Sequence, residues 1–242
     1  MNTPSIIQSL WIGEALSVME KLCIASFLQN DHQVHLYVYE DVLGVPEGVV
    51  LLDANEIIPA DRIFKYKDYD SYAGFSNLFR YKLLYEKGHY WVDSDVVCLK
   101  HFQSGTAHAF AGERLEQPNR MIAANCVIKA PEGSLIMEYC YRESAKQDPG
   151  LLTWGKSGPH LLTKAIAKFG MRCYVADPPV FCPINWWEWD QIINQQTDAA
   201  ILERAQSVHL WNEMWRRNGV DKAGVFDEKC LYEQLKQTYL AS

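Results

Sequence analysis

The sequence predicts an α/β domain with a mostly parallel central sheet flanked by helices, and three features predict it. The first is an apolar, β-branched run, Ile6-Ile7-Gln8-Ser9-Leu10-Trp11-Ile12, stopped by Gly13. The second is the pair of segments beyond Gly13. Ser17 to Gln29 places Val18, Met19, Leu22, Cys23, Ala25, Ser26 and Leu28 at mostly helical spacing, and Val34 to Tyr39 returns to strand composition. Strand, helix and strand in so short a span make a βαβ unit, which requires parallel strands and a right-handed crossover. The third feature is a second such passage: a helix led by Ser76 as N-cap, a stop at Gly88, and a strand from Tyr90 to Val97.

The remaining elements come in chain order. Val49 to Leu52 is a short apolar strand. Ala123 to Lys129 is another, and Pro131 and Gly133 then turn the chain into a helix over Ser134 to Ala145. Ser157 to Phe169 is helical, with Gly158-Pro159 near its start, and Cys173 to Val175 is a short strand. Beyond Pro178 the prolines and Trp186, Trp187, Trp189, Trp211 and Trp215 change the character of the chain. Ala205 to Trp211 reads as a last strand and Glu228 to Leu240 as a closing helix. No repeat, low-complexity tract or linker divides the chain, so residues 1–242 are expected to form one domain.

Composition narrows the function. A hydrophobic fraction of 48% and a charged fraction of 22% are those of a soluble globular protein. The net charge of −7 excludes a broad nucleic-acid footprint, which needs a basic face. Seven cysteines, at 23, 98, 126, 140, 173, 182 and 230, show no zinc-ligand spacing and sit mostly in apolar runs, as in a reducing compartment. No apolar run reaches the roughly 18 residues that span a bilayer. The first ten residues lack a basic region followed by an apolar one. The expectation is a cytoplasmic protein, with peripheral contact at the inner face of the membrane left open and the oligomeric state unassigned.

The chemistry gathers at Tyr90-Trp91-Val92-Asp93-Ser94-Asp95-Val96-Val97. On an extended chain the side chains of Asp93 and Asp95 leave by one face. Two like charges so close need compensation, and a hard divalent cation such as magnesium or manganese is the simplest; two solvated residues in a turn are the competing reading. Asn77 and Arg80, at i and i+3, share a helix face that the turn at Gly88 can fold back onto the two carboxylates. There Arg80 would donate to hydroxyls or phosphate, or else saturate a carboxylate for structural reasons. His209, at a strand end with Trp211 two residues on, is either a structural histidine or a third, nitrogen ligand. Trp11 lies at the carboxyl end of the first strand, where ligands of parallel sheets bind. Arg216, Arg217 and Lys222 form a small basic spot, a solvated face or a contact for phosphate or anionic lipid.

Taken together these segments resemble a known family. FSNLFRYKLLYEKGHYWVDSDVV resembles the DXD-containing sugar-binding region of bacterial glycosyltransferases of GT-A fold, the retaining enzymes of surface-polysaccharide synthesis. Yeast-type α-mannosyltransferases and clostridial toxin glucosyltransferase domains are more distant relatives of the same kind. IQSLWIG is similar to their first strand and SVHLWNEMW to the segment of their last metal and phosphate contacts. The resemblance implies a Rossmann-like GT-A domain, with a nucleotide-binding part at about 1–100 and an acceptor part at about 101–242. It implies a Mn2+ or Mg2+ ion on Asp95, Asp93 and His209. For the donor it implies Trp11 stacked on the nucleobase, with Ile12 and Gly13 close by. Arg80, Asp93, Ser94, Asn77 and Asn125 would face the ribose, sugar and phosphate, and Trp211 the diphosphate. Arg80, Asp93 and Asp95 carry the catalytic roles. Asn77 stands where many relatives have Asp, and Gly88-His89 where many have two glycines.

The function so implied is metal-dependent transfer of a hexose, with retention, from a nucleotide sugar such as a UDP-sugar. The acceptor would be a glycan or a lipid-linked saccharide in polysaccharide or lipopolysaccharide synthesis. Two alternatives stand beside it. One is a phosphatase of the haloacid-dehalogenase type, which also places Asp-x-Asp after an apolar strand. The other is a protein that binds sugar nucleotides without turnover.

Overall fold

The computed structural model describes residues 5–67, 69–102, 105–194 and 199–240; the first four residues of the N-terminal ten, on which the signal-peptide expectation falls, lie outside them. Strands β1 (Ile6–Trp11), β2 (Gln33–Val38), β3 (Val50–Asp53) and β4 (His89–Val92) run parallel, in the spatial order β3-β2-β1-β4. β5 (Val96–Cys98) leaves that sheet. β6 (Ala109–Arg114) and β7 (Met121–Ala130) extend it beyond β4 as antiparallel strands, with β7 next to β4. β5 instead pairs antiparallel with β8 (Ser207–His209) in a separate two-stranded sheet.

The helices are α1 (Val18–Gln29), α2 (Ala73–Lys87), α3 (Leu135–Ala145) and α4 (Pro159–Lys168), the short α5 (Pro178–Phe181), α6 (Gln191–Asn194), α7 (Ala199–Leu202) and α8 (Asn212–Arg217), and α9 (Leu231–Leu240). α2, α3 and α4 cover one face of the large sheet, packing Phe75, Phe79, Ile136 and Leu162 onto Leu10, Tyr37, Trp91 and Ile128. The other face, with Ile7, Leu36, Tyr90 and Val92, packs on Ile24 and Phe27 of α1 and on Phe102 and Phe181. The opposite flank of α1, through Met19, Leu22 and Cys23, meets Val97, Val208, Trp215 and Leu231. α1 is therefore buried on two sides, between the large sheet and the small one. Its start is fixed locally by a capping box: the Ser17 side chain accepts from the backbone of the first turn, and Glu20 accepts from the Ser17 N–H.

Three expectations need correction, and one strand was not anticipated. Ser76 is not an N-cap, because α2 begins one turn earlier at Ala73; Ser76 instead accepts from Arg80 within the helix. Tyr90 to Val97 is not one strand. The chain turns at Asp93, where the Val96 N–H bonds the Asp93 carbonyl at 3.1 Å, and Val96 begins the second sheet. Cys173 to Val175 is mainly a 3-10 turn, Arg172–Tyr174, with Val175 alone bridged to Phe110. β6 has no counterpart in the reading of the sequence.

The stop at Gly88 stands and has two causes. Its φ is +66°, and an added Cβ would lie 2.5 Å from the Glu132 backbone nitrogen. His89 beside it also has positive φ, +68°, so the position where relatives place a second glycine demands that conformation here too.

Candidate active site

The site forms where the two sheets part. Asp93 closes β4 at the carboxyl end of the parallel strands, and its N–H is held by the Cys126 carbonyl of β7 at 2.8 Å. Arg80, buried on α2, places Nη1 2.7 Å from Asp93 Oδ1, and the Trp91 indole N–H donates to the same oxygen at 2.8 Å. Arg80 Nη1 also donates to the Asn125 carbonyl, while Nε and Nη2 donate to the Ser76 carbonyl (3.2 Å) and hydroxyl (3.0 Å). Four of its five N–H groups are thus used within the described residues, and one on Nη2 remains. Its guanidinium lies 4.8 Å from the centre of the Trp91 ring.

Asp95 belongs to the other side. Its Oδ2 meets His209 Nε2 at 3.2 Å and accepts the Asn212 N–H at 2.9 Å, while its carbonyl accepts the Leu210 N–H at 2.8 Å. Trp211, between those two donors, is left-handed (φ +57°, ψ +46°), a conformation costly for a bulky residue. That kink aims the Asn212 N–H at Asp95. One carboxylate oxygen of each of Asp93 and Asp95 and a ring nitrogen of His209 lie within 4.8 Å of one another. The structure brings these three residues together through a turn rather than an extended strand.

The electrostatics follow from burial and partners. Desolvation raises the Asp93 carboxyl above its usual range, against Arg80, with Asp95 adding to the rise. Desolvation acts the same way on Asp95, but His209 and the Asn212 N–H outweigh it and leave that carboxyl below its usual range. Burial disfavours imidazolium at His209, yet Asp95 raises it well above an ordinary histidine.

The other anticipated residues surround this centre. Trp11 ends β1 and shares a small cavity with Ser9, Glu20, Asp93 and Ser94; its buried indole N–H has no partner among the described residues. Gly13 is close enough that a Cβ would stand 3.5 Å from that nitrogen, and Ile12 packs on the opposite core. Asn125 donates to the Asn77 side chain, and Asn77 donates to the Ser157 hydroxyl at 3.2 Å. Trp211 donates from its indole to the Ile184 carbonyl at 3.0 Å, with its ring 3.9 Å from that of His209. The basic spot is internally paired: Arg216 and Arg217 both meet Glu213, at 2.8 and 2.7 Å, and Lys222 meets the buried Glu20 at 2.5 Å.

Sequence reasoning missed several neighbours. Trp91 could have been found, two residues before Asp93. Ser157 had only the adjacent Gly158-Pro159 as a signal. The contact of Cys126 and Cys182, and Glu113 on β6, whose carboxyl burial pushes up to about 7, had none.

Comparison with known proteins agrees with this geometry. A family model described as a glycosyltransferase sugar-binding region containing a DXD motif matches residues 17–113, and one described as an alpha 1,4-glycosyltransferase conserved region matches residues 133–239. The lactosylceramide 4-alpha-galactosyltransferases of Homo sapiens and Pan troglodytes are each 24% identical to it over 152 residues, covering 57% of this chain and 41% of theirs. The chain thus spans less than half the length of these two relatives. A solved structure described as PaToxG glycosyltransferase shares the fold, with a TM-score of 0.51 at 14% identity over 97% of this chain and 86% of that one. No described helix is long and apolar enough to cross a membrane. One family model covers Asp93 and Asp95 and the other His209, so the three residues of the site lie within two matched glycosyltransferase regions.

Proposed function

We propose that this chain transfers a hexose, with retention of configuration, from a UDP-sugar to a glycan or lipid-linked saccharide acceptor, as in surface-polysaccharide assembly. The observation that carries the reading is the convergence of Asp93, Asp95 and His209 within 4.8 Å, backed by Arg80. The 4-alpha-galactosyltransferase relatives make galactose the first donor sugar to try.

The donor set fits a hard divalent ion that tolerates one imidazole, Mn2+ before Mg2+. The side-chain contacts of Arg80 and Trp91 fall on Oδ1 of Asp93, and those of the His209 ring and the Asn212 backbone N–H on Oδ2 of Asp95. Asp93, Asp95 and His209 would hold the ion, which supplies Lewis-acid neutralisation of the charge that gathers on a departing diphosphate. The protein does the rest. Trp11 offers a ring face to the nucleobase beside Gly13. Arg80 locks Asp93 in place and presents its last N–H toward the donor. Asn77 and Asn125, tied to Ser157, turn amide groups to sugar hydroxyls. The division at about residue 100 then separates the nucleotide-binding part from an acceptor part.

The phosphatase alternative needs a later lysine at the first aspartate; Asp93 has Arg80, from the helix before it, instead. Donor turnover tests the proposal. Purified chain with Mn2+ and a panel of nucleotide sugars is expected to release UDP slowly from one member and to lose that release in Asp95→Ala. Undiminished release in Asp95→Ala overturns the metal assignment. Tight UDP binding with no turnover on any acceptor favours a binding protein.

A further inference from the structure

His209 faces two sites. Its Nε2 meets Asp95 and its other neighbour is the Cys126 thiol, while buried Nδ1 makes no well-formed hydrogen bond among the described residues. On the other flank of the ring lie Cys126 of β7 and Cys182, just after α5, with sulfurs 3.5 Å apart and both side chains buried. The two sulfurs and a His209 nitrogen lie within 4.8 Å of one another. A metal-ligating histidine normally gives its second nitrogen to a carboxylate, carbonyl or water; here that nitrogen is left to a pair of thiols.

We propose that Cys126, Cys182 and His209 Nδ1 form a site for a thiophilic divalent cation of the Zn2+ or Cd2+ class, and that its occupation switches off the Asp93/Asp95 site. The spacing is suitable. Tetrahedral zinc bonds to sulfur at about 2.3 Å, which sets two thiolates about 3.8 Å apart, close to the distance already present. Three protein ligands leave the fourth position open, so the ion exchanges rather than holding the fold together.

The coupling follows from proton balance. On binding, each thiol releases one proton, the imidazolium paired with Asp95 releases its Nδ1 proton, and Nδ1 contributes its lone pair. The ring proton then sits on Nε2, where it is donated to Asp95 Oδ2. Nε2 has no lone pair left for a hard ion on the aspartates, so one ring serves one site at a time. The thiol site stands on its own geometry; the antagonism rests on the proposed Mn2+ site.

Titration of the purified chain with Cd2+, followed by the ultraviolet thiolate-to-cadmium charge-transfer band, tests the site. The expected result is saturation at one ion per chain, a band unchanged in Cys173→Ser (the exposed cysteine), and affinity reduced on the order of 10- to 100-fold in Cys182→Ala and in Cys126→Ser. Circular dichroism confirms folding, and Cys182→Ala alone suffices if Cys126→Ser fails to fold. Absence of the band in the wild type, or an unchanged affinity and intensity in Cys182→Ala, overturns the site. In a second arm Mn2+ binding is read by electron paramagnetic resonance. Cd2+ is expected to expel Mn2+ from the wild type and not from Cys182→Ala, and a full Cd2+ band with Mn2+ undisturbed overturns the coupling. If Mn2+ never binds, the reading of the aspartate site fails, while the Cd2+ band still decides the thiol site.

Discussion

Asp93 and Asp95 stand two residues apart, yet they are compensated by different regions of the molecule. Asp93 ends the six-stranded sheet, and its partner is the buried guanidinium of Arg80, a permanent cation fixed by Ser76 and Asn125. Asp95 opens the two-stranded sheet, and its partner is an imidazole, which loses its charge when it gives up a proton. The contrast assigns roles within one motif. The first region is a pre-neutralised frame. The second holds the exchangeable charge, the half that takes the metal ion in the function proposed above.

The largest expected effect is at the exchangeable half. Asp95→Asn keeps an acceptor for the Asn212 N–H but removes the charge. It should abolish Mn2+ binding and cut UDP release about 1,000-fold, or about 4 kcal/mol, with little change in melting temperature. Resonance titration and a donor-hydrolysis assay check it, and wild-type Mn2+ affinity in the variant would reverse the assignment of roles. At the frame the expected effect is on folding. Arg80→Ala strands the Asp93 carboxylate and the Asn125 carbonyl, and should cost about 3–5 kcal/mol in urea unfolding. A loss below about 0.5 kcal/mol, as for a surface change, would show that water can replace the guanidinium.

The joint between the two regions is expected to respond to pH. The stretch leaving β5 returns to the start of β2 through His32, whose Nε2 accepts the Phe102 N–H at 3.0 Å and whose ring stacks on His101 at 4.3 Å. Burial, then His101, holds His32 down to about 4. Between its unfolded value near 6.5 and 4, the unfolded chain binds a proton that the folded chain refuses. The contribution is therefore complete above 6.5 and is lost as pH falls through that window, by up to about 3 kcal/mol. Urea midpoints at pH 7 and 4.5 should diverge in the wild type and converge in His32→Asn. Parallel loss in both would clear His32 of the effect.

The same division governs what could be read from the sequence. In the first region the causes are local: β-branched runs, the Ser17/Glu20 capping box, and a helix, glycine and strand that bring Arg80 to Asp93. β1, β2, β3 and β7 fall within a residue or two of expectation. The break at Asp93 was hidden because the apolar run from Tyr90 to Val97 looks continuous, and which sheet Val96 joins depends on Val97 meeting Val208 from a distant segment. β6 was missed for a similar reason: Ala109–Arg114 has small residues and becomes a strand by adding to the edge of β7. Cys126 and Cys182 read as small hydrophobes, and no spacing in the sequence announces that β7 and the end of α5 set their sulfurs together.

The smallest expected effect compares two tryptophans, one from each region. Trp211 donates its indole N–H to the Ile184 carbonyl, so Trp211→Phe leaves a carbonyl without its donor and should cost about 1–2 kcal/mol. Trp11 has a buried N–H with no partner among the described residues. Trp11→Phe gives up some apolar area but also removes an unmet donor, two changes of opposite sign, and its net effect should stay within about 1 kcal/mol. Since a phenyl ring still stacks on a base, UDP binding should weaken only modestly in Trp11→Phe and far more in Trp11→Ala. Urea unfolding and calorimetry with UDP measure both. If Trp11→Phe proves the more destabilising of the two phenylalanine variants, the indole N–H of Trp11 is satisfied in solution, and Trp11 belongs to the frame rather than to the donor site.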